Sequence, residues 1–304
     1  MGMLSNKDYP RKLWKNNTLY MPDCLVSSYD VLLDEYGIKN MALELHDPGR
    51  VIGGPTLQAT LEYFARRYGV SACRIESLIL DPDGAFLSIS DDLTKIFSEG
   101  NIALLDVACG SGSVGASLLS TFLILRKEQV LPMMPTSINI VGGDCSPYAL
   151  EIYTKMMTRL LHDLEGAGIQ SHLHTINWLA EESYTTSELF DLFFSQNPEA
   201  DEYVVFIANF SGAMDSHSDE YKSSIQHMFD RTHNKRCVIV WVEPGNYHSA
   251  LHFFENLRRI IDLTGWRRST QIGPIEHDYK WFHPLQNRVL PCRVLIKAYD
   301  NNGR

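Results

Sequence analysis

The chain has 304 residues, of which 44% are hydrophobic and 21% charged, and its formal net charge is −10. This length is enough to bury a sizeable core, and the composition is ordinary for a globular protein. The acidic balance argues against a nucleic-acid backbone as the main partner, because phosphate binding depends on an excess of Lys and Arg.

The cysteines, histidines and apolar runs bear on compartment and metal chemistry. Six cysteines are scattered without a C-x-x-C pair, which favours a reducing compartment over a disulfide scaffold or a zinc site. The histidines form no recognisable ligand set, so no metal is expected. No signal peptide is recognisable, and no apolar stretch reaches the roughly 18 residues of a membrane span. We therefore expect a cytoplasmic protein without a membrane partner.

Residues 1–100 have mainly helical patterns and are predicted to form a helical N-terminal cap. Pro55 favours a helix start and Gly69 a helix end, while Ser90 or Asp91 is a candidate N-cap. The predicted helices are Leu25 to Tyr36, Thr56 to Tyr68 and Asp91 to Ser98.

Residues 101–304 alternate short apolar runs with helical patterns, which is typical of a parallel sheet flanked by helices. The first five strands are expected at 102–107, 137–141, 172–176, 203–209 and 238–242. The helices are expected at 114–127, 147–165, 218–232 and 249–264. Two last strands, 266–272 and 293–299, have no helix between them and predict a closing antiparallel pair.

The segment from Ile102 to Gly115 is an apolar strand that ends in Asp106, turns on glycines and opens a helix. Its glycines fit G-x-G-x-x-G, in which backbone N–H groups approach a nucleotide closely. Asp106 would oppose a doubly negative pyrophosphate. It would favour a ligand with a cationic amine and no phosphate, such as S-adenosylmethionine (SAM).

A second strand ends in an acid at Asp144, before a helix start at Pro147. A carboxylate suits two ribose hydroxyls, because each of its oxygens accepts a hydrogen bond. Asp144 follows Gly112 by 144 − 112 = 32 positions, against about 20 in the dinucleotide pattern. We attribute the excess to an insertion at 129–136. The structural alternative is that Asp144 only caps the helix.

The order of these elements resembles the class I SAM-dependent methyltransferases over residues 101–299. The resemblance implies a Rossmann-like SAM-binding domain at 101–304, with a parallel sheet and an antiparallel final strand. Ala108 stands where that family usually has glycine. By the resemblance, the methionine end of SAM is held after the first strand, the ribose after the second and the adenine after the third. The implied contacts are Asp106, Ala108, Gly110, Ser111 and Gly112, then Asp144 and Cys145, then Asn177 and Trp178. Trp178 is equally well explained as a core residue.

Four polar residues follow the fourth and fifth strands, at the edge that faces the sulfonium in the family. Asn209 and Ser211 are candidates to orient a nucleophile, although neither is a strong base. Glu243 and His248 are the candidate proton acceptors, His248 because the pKa of an ordinary imidazole lies near neutrality. The alternative is that these groups only satisfy the loop backbone.

The predicted function is SAM-dependent methyl transfer to a small molecule, with no nucleic-acid partner. The first alternative is a SAM-consuming intramolecular cyclase of the azetidine-2-carboxylate synthase type, since both uses require the same SAM contacts. The second is a non-catalytic SAM-binding protein. An NAD-dependent oxidoreductase ranks third, because Asp106 and the antiparallel end oppose it.

Overall fold

The computed structural model of the protein describes residues 4, 9–45, 53–245 and 270–300. Within these ranges the chain forms one nine-stranded sheet and eight helices. The strands are β1 (Trp14–Lys15), β2 (Thr18–Tyr20), β3 (Gly100–Val107), β4 (Thr136–Asp144), β5 (Ile169–Asn177), β6 (Glu202–Ala208), β7 (Cys237–Glu243), β8 (Thr270–His283) and β9 (Arg288–Asp300). The helices are α1 (Asp23–Glu35), α2 (Lys39–Leu43), α3 (Leu57–Leu80), α4 (Leu87–Ile96), α5 (Ser113–Lys127), α6 (Pro147–Glu165), α7 (Ser183–Gln196) and α8 (Ser211–Thr232).

The sheet has the order β1-β2-β8-β9-β7-β6-β3-β4-β5. Strands β3 to β7 are all parallel to their neighbours within that group, whereas β9 is antiparallel to both β7 and β8. The predicted fold class, a mostly parallel sheet with an antiparallel final strand, is therefore confirmed. The final strand does not lie at the sheet edge, because β9 is inserted between β7 and β8.

Helices cover both faces of the sheet, as parallel strands require. Alternate residues of β3 point to opposite sides, so that Leu104 belongs to one core and Leu105 to the other. The first core contains residues of α1, α3, α4, α5 and α6, and the second contains residues of α7 and α8. Sequence patterning missed α7 and the short strands β1 and β2, of which β2 pairs in parallel with β8.

Two helix boundaries in the first hundred residues were predicted wrongly. Helix α3 begins after Thr56, whose hydroxyl accepts a hydrogen bond from the Ala59 amide, but it continues through Gly69 to Leu80. Gly69 is needed for packing, since a Cβ there would lie 2.9 Å from the Trp281 ring. Helix α4 begins at Leu87, four residues earlier than predicted, without a side-chain cap.

Two other boundaries qualify the predictions for residues 101–304. Helix α8 begins at Ser211 rather than Ser218. The predicted helix at 249–264 and the beginning of the predicted strand at 266–272 lie outside the described residues. None of the helices that the structure describes is long and apolar enough to cross a membrane.

Candidate functional site

The strand order reverses at β3, because the chain continues from β3 to β4 on one side and returns to β6 on the other. Ligands of open α/β sheets bind at such a switch point, outside the carboxyl ends of the strands. Asp106 and Asn209 lie at the ends of β3 and β6, and Asp144 ends β4. The topology thus brings residues 209 − 106 = 103 positions apart to one edge of the sheet.

Asp106 is a buried carboxyl group at this edge, with 0% of its surface exposed. Neither of its oxygens has a hydrogen-bond partner of normal geometry among the described residues, although the Tyr153 hydroxyl and the Gly115 amide lie near the carboxyl group. Burial raises the pKa of Asp106 to about 7, an effect that the Tyr153 hydroxyl and the Gly115 amide partly oppose and that nearby Asp144 reinforces. A buried carboxyl group in this condition is costly unless a ligand supplies a donor or a positive charge.

The turn after β3 adopts a left-handed backbone at three positions, the last of which is Gly112 with φ of 79°. Ala108 has φ of 54° and Gly110 has φ of 52°. A non-glycine residue is uncommon in this region because its Cβ approaches the backbone. This accounts for the glycine that the resembled family has at the position of Ala108.

The glycines of the turn serve two different purposes. A Cβ on Gly112 would lie 1.8 Å from the Tyr153 ring, and one on Gly115 would lie 2.0 Å from the Tyr153 hydroxyl. These two glycines are therefore required by the packing of α6 on α5. A Cβ on Gly110 would meet no atom of the described structure within 4 Å. Gly110 thus leaves an open backbone surface, beside the buried Ser111.

Asp144 connects this turn to the end of β4 through hydrogen bonds. Its Oδ2 accepts a hydrogen bond from the Gly110 amide at 2.8 Å, and its Oδ1 accepts one from the Ser146 amide at 2.9 Å. Each carboxylate oxygen retains a second acceptor position. Burial raises the pKa of Asp144, and these two amides lower it. Burial also raises the pKa of the neighbouring Cys145 thiol to about 12, so this thiol is not a reactive thiolate near neutral pH.

Asn177 and Trp178 follow β5 on the outer side of the site. Asn177 pairs with Asp144 across the strands and is exposed. Trp178 is only 2% exposed, and its indole N–H donates to the Thr186 hydroxyl at 3.0 Å. This hydrogen bond ties β5 to α7, as a core tryptophan would. Whether either residue also contacts adenine stays a prediction.

Asn209 has a different partner from the substrate atom that we expected. It adopts φ of 56°, and its Oδ1 accepts a hydrogen bond from Nη1 of Arg74 at 2.8 Å. Sequence patterning did not identify Arg74, which lies on α3, 135 positions before Asn209 in the sequence. Ser211 begins α8, and its side chain lies outside the description.

Glu243 joins the end of β7 to the start of α8. It is 1% exposed, and its Oε1 accepts hydrogen bonds from the Phe210 amide at 2.9 Å and the Trp241 indole at 2.7 Å. These contacts are structural ones, and its role as a proton acceptor stays a prediction. His248 lies outside the described residues.

Helix α3 lies across the carboxyl edge of the sheet and contributes residues that sequence patterning missed. Near its start, the Thr60 hydroxyl is 2.7 Å from the Ser146 hydroxyl after β4. Further along, Tyr68 lies near enough to Asp106 for that carboxyl group to help burial raise the pKa of Tyr68. The helix then reaches Asn209 through Arg74. A periodic pattern shows that a helix forms, but not which edge of a sheet it covers.

A cavity of about 460 Å³ lies at the opposite edge of the sheet, where β3 begins. Its lining includes Lys95, Glu99, Asp201 and Arg236, which have mixed charge. This position is not the switch point, so we do not assign it to the candidate site. Across the ranges that the structure describes, no group of three His, Cys, Asp or Glu side chains is arranged to hold a metal.

Comparisons with known proteins place no family name on the chain. No protein-family model and no curated protein matches it. A solved structure described as "Conversion of a Disulfide Bond into a Thioacetal Group during Echinomycin Biosynthesis" matches with a TM-score of 0.35 and 13% identity, over 70% of this chain and 81% of that one. The rRNA methyltransferase aviRa from Streptomyces viridochromogenes matches with a TM-score of 0.38 and 11% identity, over 86% and 91%. At these TM-scores neither likeness carries an argument about function.

Proposed function

We propose that the protein binds SAM at the carboxyl edge of β3 and β4 and transfers its methyl group to a small molecule. One observation carries this proposal: Asp106 is fully buried, and its oxygens have no hydrogen-bond partner of normal geometry and no positively charged neighbour among the causes of its raised pKa. A ligand with an ammonium group would supply both the donors and the charge that this carboxyl group lacks. A pyrophosphate would supply neither.

The neighbouring groups fit the remaining parts of SAM. Asp106 would hold the α-ammonium group, and the open backbone at Gly110 would admit the ligand closely. Asp144 has acceptor capacity left for the two ribose hydroxyls, although it already binds two amides. Asn177 and Trp178 remain the candidates for the adenine side.

The chemistry requires little from the chain beyond alignment. When bound, SAM supplies an electrophilic methyl carbon that is already activated by its sulfonium. The residues of this chain would bind the ligand, exclude water beneath α3 and orient the acceptor, and such alignment supplies much of the rate. A strong general base is not required for an acceptor that is already nucleophilic.

Calorimetry with SAM and with NADH tests the binding step. We expect wild-type protein to bind SAM, and Asp106→Asn to bind it at least tenfold more weakly. Asp191→Asn is the matched control, because Asp191 is exposed and pairs with Arg231 on the surface. Binding of NADH but not SAM would overturn the proposal, as would equal SAM affinity in the Asp106 variant.

Mass spectrometry tests the reaction step. We expect SAM to remain intact when it is incubated with the protein alone, and to yield S-adenosylhomocysteine when a small-molecule extract is added. Conversion of SAM alone to methylthioadenosine would contradict methyl transfer as the activity.

A further inference from the structure

Arg74 is a buried arginine at the carboxyl end of β6, and the proposed methyl transfer does not yet use it. It is 9% exposed. Its Nε donates to the Arg293 carbonyl at 3.0 Å, and its Nη1 donates to Asn209 Oδ1 at 2.8 Å. Both acceptors are neutral, so they orient the guanidinium without neutralising its charge.

Arg74 forms no close ion pair with the described residues. No carboxylate of the described ranges lies within 4.0 Å of its guanidinium, and the hydrogen bonds that it donates to described residues come from Nε and Nη1. Removing an unpaired charge from water is costly. An arginine kept in this condition is therefore suited to an anion that arrives from outside the chain.

Arg126 shows what a structural buried arginine looks like in the same molecule. It is 0% exposed, and both of its terminal nitrogens are occupied. Nη1 donates to the carbonyls of Met134 and Ala167, and Nη2 donates to the Ser98 carbonyl and the Thr136 hydroxyl. Arg126 thus fastens the turns around it, whereas Arg74 donates to described residues from only one terminal nitrogen.

The surroundings of Arg74 add further polar groups on the same helix. Tyr63, Ser71 and Arg74 recur at helical spacing on α3 and so share one face. Ser71 is 1% exposed, and its hydroxyl lies close enough to the Tyr63 hydroxyl to lower the pKa of Tyr63. Burial raises the pKa of the Tyr63 hydroxyl, and Arg74 lowers this pKa while Glu243 raises it further. This face of α3 is therefore polar where it meets the ends of β6 and β7.

We propose that Arg74, positioned by Asn209, binds a carboxylate of the ligand in this crevice. The inference rests on the proposed function for the identity of that ligand. A guanidinium suits a carboxylate because its planar N–H groups match the two oxygens. A doubly charged phosphate fits less well, since Asp106 and Asp144 lie at the same edge. The carboxylate belongs either to the aminoacyl end of SAM or to the methyl acceptor.

The first arm of the test compares SAM with decarboxylated SAM by calorimetry. If the carboxylate is that of SAM, wild-type protein binds SAM at least tenfold more tightly than the decarboxylated form, and Arg74→Met loses this preference. Arg66→Met is the control, because Arg66 lies on the same helix but pairs with Glu44 and Glu62.

The second arm tests the acceptor as the source. Protein loaded with S-adenosylhomocysteine is heated with millimolar glycine, glutamate or benzoate. If the carboxylate belongs to the acceptor, at least one of these raises the Tm of the wild type but not of Arg74→Met, and SAM affinity stays within twofold. The inference is overturned if Arg74→Met matches the wild type in both arms.

Asn209→Asp is a second test variant, which is needed if Arg74→Met does not fold. It puts a carboxylate at the atom that already accepts from Arg74 at 2.8 Å, and Asp tolerates the left-handed backbone. We expect this variant to be at least as thermally stable as the wild type and to bind the carboxylate at least fivefold more weakly. Unchanged binding would overturn the inference. If the wild type does not bind SAM at all, the proposed function fails, and the carboxylate series on ligand-free protein still tests Arg74.

Discussion

Replacing Asp106 by Asn should stabilise the ligand-free protein while weakening SAM binding. The pKa of Asp106 is raised from 3.8 to about 7 in the folded chain because the carboxyl group is buried. One pKa unit corresponds to about 1.4 kcal/mol, so the ionised group costs the folded state about 4 kcal/mol above pH 7. Asn removes the charge and keeps the shape.

The sign of the pH dependence follows from where the proton is held. Between pH 4 and pH 7 the folded protein keeps the Asp106 proton that the unfolded chain has lost. Stability of the wild type therefore falls as pH rises through this range and levels off above pH 7. Asp106→Asn has no ionisable group at this position, so its stability does not fall for this reason. We expect its free energy of unfolding to exceed that of the wild type by roughly 2–3 kcal/mol more at pH 8 than at pH 5.

Urea denaturation followed by tryptophan fluorescence at several pH values measures this difference. Comparison with Asp191→Asn, at an exposed carboxylate, separates the burial effect from a general charge effect. The same reasoning predicts that SAM affinity of the wild type weakens below pH 7, since an ammonium ligand favours the ionised carboxylate. A stability difference between Asp106→Asn and the wild type that is constant with pH would refute the reasoning.

Three further variants test the turn and its acids. Ala108→Gly should raise the free energy of unfolding by about 0.5–1 kcal/mol, because Ala108 has φ of 54° and glycine adopts this backbone freely; a loss of stability in urea would contradict this. Gly112→Ala should lower the free energy of unfolding by at least about 3 kcal/mol, because its Cβ would lie 1.8 Å from the Tyr153 ring. Gly110→Ala should lower it by only about 1 kcal/mol. Equal losses in the two variants would show that the contact with the Tyr153 ring does not matter. Asp144→Ala should weaken SAM binding at least tenfold, or about 1.4 kcal/mol, and unchanged calorimetric affinity would remove Asp144 from the site.

The candidate site could be predicted from sequence only where its geometry is local. Asp106 and Asp144 were identified because each follows an apolar strand and precedes a helix start. Ser146 and Pro147 likewise indicated the start of α6, where the Ser146 hydroxyl accepts from the Ala149 amide. Arg74 carried no comparable signal, because its partner Asn209 is distant in the chain.

The sequence by itself predicted strands β3 to β7, helices α5 and α6, and the strand-turn-helix segment at Asp106. These follow from side-chain periodicity and turn chemistry, which act over a few residues. Tertiary structure alone decided that β9 inserts between β7 and β8, that α3 continues past Gly69 and crosses the carboxyl edge of the sheet, and that Asn209 accepts from Arg74. These outcomes depend on which surfaces pack together, and packing joins residues whose separation along the chain no local pattern records.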